Sequence, residues 1–383
     1  MAKVLLVDTN FSSGPIYREL ASLGHNVHVV GNNPNDCLAK VSPNYHKLDY
    51  SNLDALKSLI DGEGFDFLVP GCTDRSYLSC VAVGSNQFPG LDQPDSCEAI
   101  FNKSRFRQLA ERIGLPAPQR FADGRHPPHT PVIVKPVDAF SGKGITVLRE
   151  NDEQGFERAV ALAQVASPSG GYLVEEFVEG QLHSHSAFVQ GGKVVQDFLV
   201  LEDGSANPFV VDTSCVVPDA PADMLARLRA CAEDMAAELG AVDGLLHTQF
   251  ISQGSDFRLI ETTRRCPGDL YSQLIELSTG YPYARAYILP FLGLPIEEHY
   301  DNLRWTPILR HTVTLKVAQS FAYLHFKAAV QIERWVPLSL VGDQLSPSPQ
   351  SRIGVMFCRA TDTQELDRIY QTALRRDLYE IHA

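Results

Sequence analysis

Residues 247–280 read HTQFISQGSDFRLIETTRRCPGDLYSQLIELSTG: two alternating runs joined by a short polar loop, then a Pro-Gly turn and a helical segment. From Leu245 to Ile251 the alternation puts His247 and Gln249 on one strand face and Leu246, Thr248 and Phe250 on the other. A second run, Phe257 to Thr263, puts Glu261 and Thr263 on one face. Ser252 to Asp256, with Gly254 inside it, has the length and composition of a hairpin connection. Symmetric pairing about that loop brings Gln249 within a residue pair or two of Glu261. Oxygen donors with few carboxylates suit a magnesium ion shared with nucleotide phosphates, because the ion gives up its water reluctantly. The expectation from this stretch is half of an ATP site.

The spacing of Gln249 and Glu261, and the run Glu261-x-Thr263-x-Arg265, resemble the signature of ATP-grasp ligases, in which Thr263 is usually an asparagine. The glutamine as first ligand and the continuation Leu277-Ser-Thr-Gly-Tyr-Pro282 are similar to carbamoyl phosphate synthetase. The resemblance implies ATP with magnesium, or manganese in its place, held by Gln249, Glu261 and Thr263. It implies that Arg265 stabilises the transferred phosphoryl group, a task suited to a planar guanidinium fork. His247, Arg264, Asp269, Tyr271 and Ser272 crowd the same stretch and are candidate substrate contacts.

Two upstream segments fit the same resemblance. Val132-Ile-Val-Lys135-Pro136 is an apolar strand ending in lysine, followed by the small-residue loop Asp138-Ala-Phe-Ser-Gly-Lys-Gly144. Backbone amides of such a loop can close over phosphate oxygens while a strand lysine supplies a fixed charge. The family pattern then implies that Lys103 and Lys135 reach the ATP phosphates under a lid formed by Ser141, Gly142, Lys143 and Gly144, with Lys135 and Arg265 acting in catalysis. Tyr172 to Gly180, YLVEEFVEG, resembles the hinge that holds adenine. There Glu175 is expected at the adenine amino group, with Glu176 and Phe177 beside the ring. The family's ribose-binding glutamate falls on Leu182, so either Glu179 or His183 is expected to substitute or the ribose is held loosely. His183 and His185 share a strand face and also form a candidate metal pair.

The 383 residues exceed one ordinary core, which implies two or three packed units. A net charge of −13 argues against nucleic acid or anionic lipid as a partner. No run of about eighteen apolar residues is present, and the chain opens directly into a strand, Lys3 to Asp8, so no leader or membrane span is expected. The eight cysteines have neither C-x-x-C nor zinc spacing, which suits reduced thiols in a cytoplasm.

Residues 1–93 alternate strand and helix and predict a parallel sheet. The turn Thr9 to Gly14 lacks the spaced glycines of a dinucleotide site, which excludes nicotinamide binding as the main function. By the resemblance, Ser12-Ser13-Gly14 and Gly71-Cys-Thr-Asp74 are candidates for substrate contact. Asp95 and Glu98 read as a capping box ahead of a helix that ends at Gly114.

The expected architecture is α/β: an N-terminal parallel-sheet domain (1–93), an ATP-grasp domain (94–300) with a lid at about 116–178, and a small C-terminal subdomain (301–383). That last segment carries no recognisable chemistry and reads as a cover for the grasp fold or a homodimer surface. The resemblance implies a carboxylate–amine ligase working through an acyl phosphate on small-molecule substrates. Alternatives are a carboxyphosphate- or carbamoyl-forming enzyme and a nucleotide-binding regulatory protein.

Overall fold

Short β-branched runs alternating with amphipathic helices build the first unit, as the periodicity predicts. In the computed structural model, which describes residues 1–121, 127, 129–139, 142–150, 152–297 and 303–383, four parallel strands lie in the order Tyr45–Lys47, Asn26–Gly31, Lys3–Val7 and Phe67–Pro70. Val4 to Val7 are fully buried because helices cover the sheet on both sides, the usual condition of a parallel sheet.

Two helices, Pro94–Phe101 and Lys103–Ile113, follow. The capping box expected from Asp95 and Glu98 does not form. Pro94 starts the helix one residue earlier, where its missing N–H costs nothing, and Glu98 pairs with Arg105 at 2.9 Å instead. The second helix is capped by Asn102, whose side chain accepts from Ser104 and Arg105, and it ends at the left-handed Gly114.

The segment expected to form a lid holds a three-stranded antiparallel sheet with Val132–Pro136 between Thr146–Leu148 and Tyr172–Glu176. Its own small core of Val132, Val134 and Val174 packs on Ala159 and Ala163 of helix Glu153–Ala166. Beneath it runs an eight-stranded sheet in the order Asp256–Thr263, Gly244–Gln253, Gln181–Gln190, Lys193–Asp203, Thr213–Val216, Ile308–Thr314, Arg352–Arg359 and Gln331–Pro337. The last three strands come from the residues expected to form a small C-terminal subdomain; they extend this sheet edge to edge.

The hairpin is tighter than its sequence suggests. Gln253 pairs with Asp256, so the turn is only Gly254-Ser255, with Gly254 at φ 63°. A β-bulge then makes Ile260 an extra residue: Phe250 pairs with Leu259, but Gln249 pairs with Glu261. Without that shift Glu261 would lie opposite Thr248, on the other face of the sheet. The bulge lets Phe257 and Leu259 enter the core while Glu261 and Thr263 join Gln249 on the cleft side.

Among the described residues, no helix is long and apolar enough to cross a membrane.

Candidate active site

Lid and central sheet enclose a cleft of about 1250 Å³ that extends to the carboxyl ends of the N-terminal strands. Open α/β sheets place ligand sites at such strand ends. Lys103, Lys135, Gly142, Lys143, Gln249, Glu261, Thr263 and Arg265 all line it, so segments more than 150 residues apart in sequence meet at one surface.

The lysines are held in different ways. Lys103, at the start of its helix, donates to the Ala139 carbonyl at 2.9 Å and lies 3.5 Å from Glu261 Oε2. Lys135 is buried and bonded to Glu175, whose carboxylate also receives Arg107 Nε at 2.8 Å and Nη2 at 3.2 Å. Burial pushes the Lys135 ammonium down to about 8, although Glu175 opposes the shift. Burial acts to raise the Glu175 carboxyl, but Lys135 and Arg107 outweigh it and hold the group below its ordinary value. Glu175 therefore serves two buried cations, whereas the sequence pointed it at an adenine amino group. Arg107 was invisible in the sequence because its helix turn reads as ordinary amphipathic packing.

Gln249 and Glu261 sit side by side, and the Glu261 side chain is 46% exposed to the cleft. Thr263 is buried, donating to Asp74 Oδ1 at 3.3 Å and accepting from the Arg265 N–H at 3.3 Å. One carboxylate, one amide and one hydroxyl on a shared face fit a magnesium ion whose other ligands are phosphate and water. No cluster of three acidic, histidine or cysteine side chains able to enclose a metal alone exists among the described residues.

Arg265 grips Asp74 through Nε–Oδ1 at 2.9 Å and Nη2–Oδ2 at 3.1 Å. The carboxylate keeps this guanidinium charged in spite of its burial. Asp74 begins a helix of the N-terminal domain and Ser12 accepts the Asp269 N–H at 3.0 Å, so the two domains are joined at the site. His247 lines the cleft with Nδ1 2.7 Å from Ser186 Oγ; burial, then the neighbouring Arg265, drive it far below its usual value, leaving it neutral. Asp269 and Tyr271 also line the cleft, as do Glu176, Phe177 and Glu179 at the hinge. Arg149 pairs with Glu179 and stacks over Phe177.

Other candidates lie elsewhere. Arg264 is buried against Asp92, at 2.8 Å from Nε to Oδ2, and against backbone carbonyls of Leu245 and Val242. Strand alternation sends it to the opposite face from Arg265. Ser272 is buried in its helix away from the cleft. His183 stacks on Phe250, and His185 pairs with Asp197, so the two do not converge as a metal pair. Gly144 packs on Ala166, and Ser141 lies outside the described residues. Gly142, at φ 68°, touches the Phe209 backbone so closely that a Cβ would sit 2.9 Å from its carbonyl oxygen. Leu182, the position at which the resemblance expects a ribose-binding glutamate, lines the cleft wall. The tail that carried no recognisable chemistry contributes Arg310 and Arg352 to the lining.

No family model matches the chain. It is 29% identical over 188 residues to formate-dependent phosphoribosylglycinamide formyltransferase of Solidesulfovibrio magneticus, a match covering 46% of this chain and 47% of that one. It is 25% identical over 229 residues to the C-terminal section of the carbamoyl phosphate synthase large chain of Methanopyrus kandleri, covering 56% and 41%. The chain thus spans less than half the length of these relatives. Its structure superposes on an L-amino acid ligase from Bacillus licheniformis with a TM-score of 0.80 at 17% identity, over 100% of this chain and 98% of that one. The chain has the ATP-grasp fold and is a homologue of the carbamoyl phosphate synthase large chain and of formate-dependent phosphoribosylglycinamide formyltransferase.

Proposed function

We propose that the protein is an ATP-dependent carboxylate–amine ligase. The observation that carries this is the meeting of Lys103, Lys135, Gln249, Glu261 and Arg265 in one cleft between the three-stranded and eight-stranded sheets. A carboxylate oxygen of the substrate attacks the γ-phosphorus of ATP, the bond to the bridging oxygen breaks, and ADP leaves. The amine then attacks the acyl phosphate carbon, loses a proton and expels phosphate, leaving an amide. Lys103 and Lys135 hold the phosphate oxygens, and Arg265, fixed by Asp74, faces the charge that develops on the transferred group. When bound, magnesium neutralises phosphate charge, and Gln249, Glu261 and Thr263 are the residues that would hold it. The lid excludes water that would hydrolyse the acyl phosphate. Catalysis is positioning and charge stabilisation, with no protein nucleophile.

The eight free cysteines, seven of them buried, suit a reducing cytoplasm. Phosphate release from ATP against paired acids and amines, with mass spectrometry for a dehydrated adduct, tests the reading; ATP binding with no turnover for any pair counts against it and favours a regulatory role. The similarity to carbamoyl phosphate synthase supports a second reading through carboxyphosphate. Bicarbonate-dependent phosphate release without an amine acceptor would select it.

A further inference from the structure

A polar row crosses the cleft floor over six adjacent strands. Glu261 pairs with Gln249, which pairs with Ser184; on the next strand Glu202 pairs with Ser214, and Ser214 with Arg310. Glu202 is the centre of this row. It is buried on strand Lys193–Asp203, and both its oxygens are in use: Oε1 accepts from Ser184 Oγ at 2.9 Å and Oε2 from Gln249 Nε2 at 2.7 Å. Arg310, the nearest cation across the row, is held by neutral acceptors, Ser214 Oγ at 2.8 Å and the Asp269 carbonyl at 2.9 Å.

An ionised carboxylate can only accept, and the Gln249 amide turns its nitrogen toward Glu202. Its oxygen then has no protein partner among the described residues and belongs to the cleft side that Gln249 lines beside Glu261. A carboxylate at position 249 would instead set two negative groups at hydrogen-bond distance, and they could not both stay ionised there.

We propose that Glu202 is a positioning residue for the metal–nucleotide complex: it orients the Gln249 amide through its N–H and so requires a neutral ligand at position 249. This rests on Gln249 and Glu261 holding the magnesium. Glu202 does not touch the ion; it acts through Gln249, as outer carboxylates commonly fix the orientation of metal ligands.

The test is the affinity of ATP with and without magnesium, measured by titration calorimetry on Q249E, E202Q, the double variant Q249E/E202Q and E261A, each checked by circular dichroism. E202Q and Q249E should each weaken Mg·ATP binding by about tenfold or more while leaving metal-free ATP within about twofold, the scale of losses from removing outer-shell partners. The double variant, which exchanges the amide and the carboxylate across the same contact, should recover most of that loss. If E202Q does not fold, comparing Q249E with the double variant carries the same test. Wild-type Mg·ATP affinity in E202Q, or a double variant no better than Q249E, overturns the proposal. E261A separates the two levels: if it also leaves the magnesium dependence unchanged, the metal site itself is wrongly assigned, whereas a loss in E261A beside a neutral E202Q removes only the role of Glu202.

Discussion

Lys135 shows how burial and a partner together set a side chain's working range. Its ammonium is buried against Glu175, and desolvation brings its proton-loss midpoint to about 8. The group is cationic below that pH and neutral above it, so ATP affinity should fall as pH rises through about 8. Lys135→Arg, whose guanidinium stays charged, should flatten that limb, as calorimetry across pH 6.5 to 9.5 would reveal. Lys135→Ala and Glu261→Ala should each lower turnover by roughly a hundredfold or more, in line with the loss of a preorganised charge contact, with circular dichroism unchanged. Wild-type turnover in either variant would remove that residue from the mechanism. Lys135 and Glu261 were legible in the sequence because each ends or punctuates an apolar strand. The pairing of Glu175 with Arg107 was not legible, since nothing local announces a partner 68 residues away.

The hairpin carries two kinds of information on its two faces. Toward the cleft it presents Gln249, Glu261, Thr263 and Arg265; behind, Arg264 anchors the sheet to the N-terminal domain through Asp92. Both members of that pair are fully buried, so removing one leaves an uncompensated charge. Asp92→Ala should cost about 3–5 kcal/mol in chemical denaturation, whereas an exposed pair such as Arg105 with Glu98 should cost less than about 1 kcal/mol. Asp74 differs from Asp92 in lying at the cleft, and its carboxylate fixes Arg265. Asp74→Asn should therefore reduce turnover more than it reduces stability, an outcome that parallel kinetic and unfolding measurements would separate. Alternation identified which hairpin residues share a face near the turn, but the bulge at Ile260 is set by the core's demand for Phe257 and Leu259, which no local pattern states.

At the scale of the whole molecule, residues 308–314, 331–337 and 352–359 complete the central sheet. Ending the chain at residue 304 would strip three strands, expose the backbone edge of Thr213–Val216 and remove Arg310 and Arg352 from the cleft. Such a truncation should be insoluble or lack a cooperative thermal transition, whereas a truly separate subdomain could be removed without loss of either. The parallel N-terminal unit, the strand ending in Lys135 and the hairpin could be read from order and spacing, because each is a local pattern of period and turn chemistry. The pairing of Arg265 with Asp74 across 191 residues, the placing of Glu202 behind Gln249 across 47, and the merging of the tail into the grasp sheet could not. Those features depend on which strand edges and buried charges meet once the chain is closed, and partner choice over such separations leaves no periodic trace in the sequence.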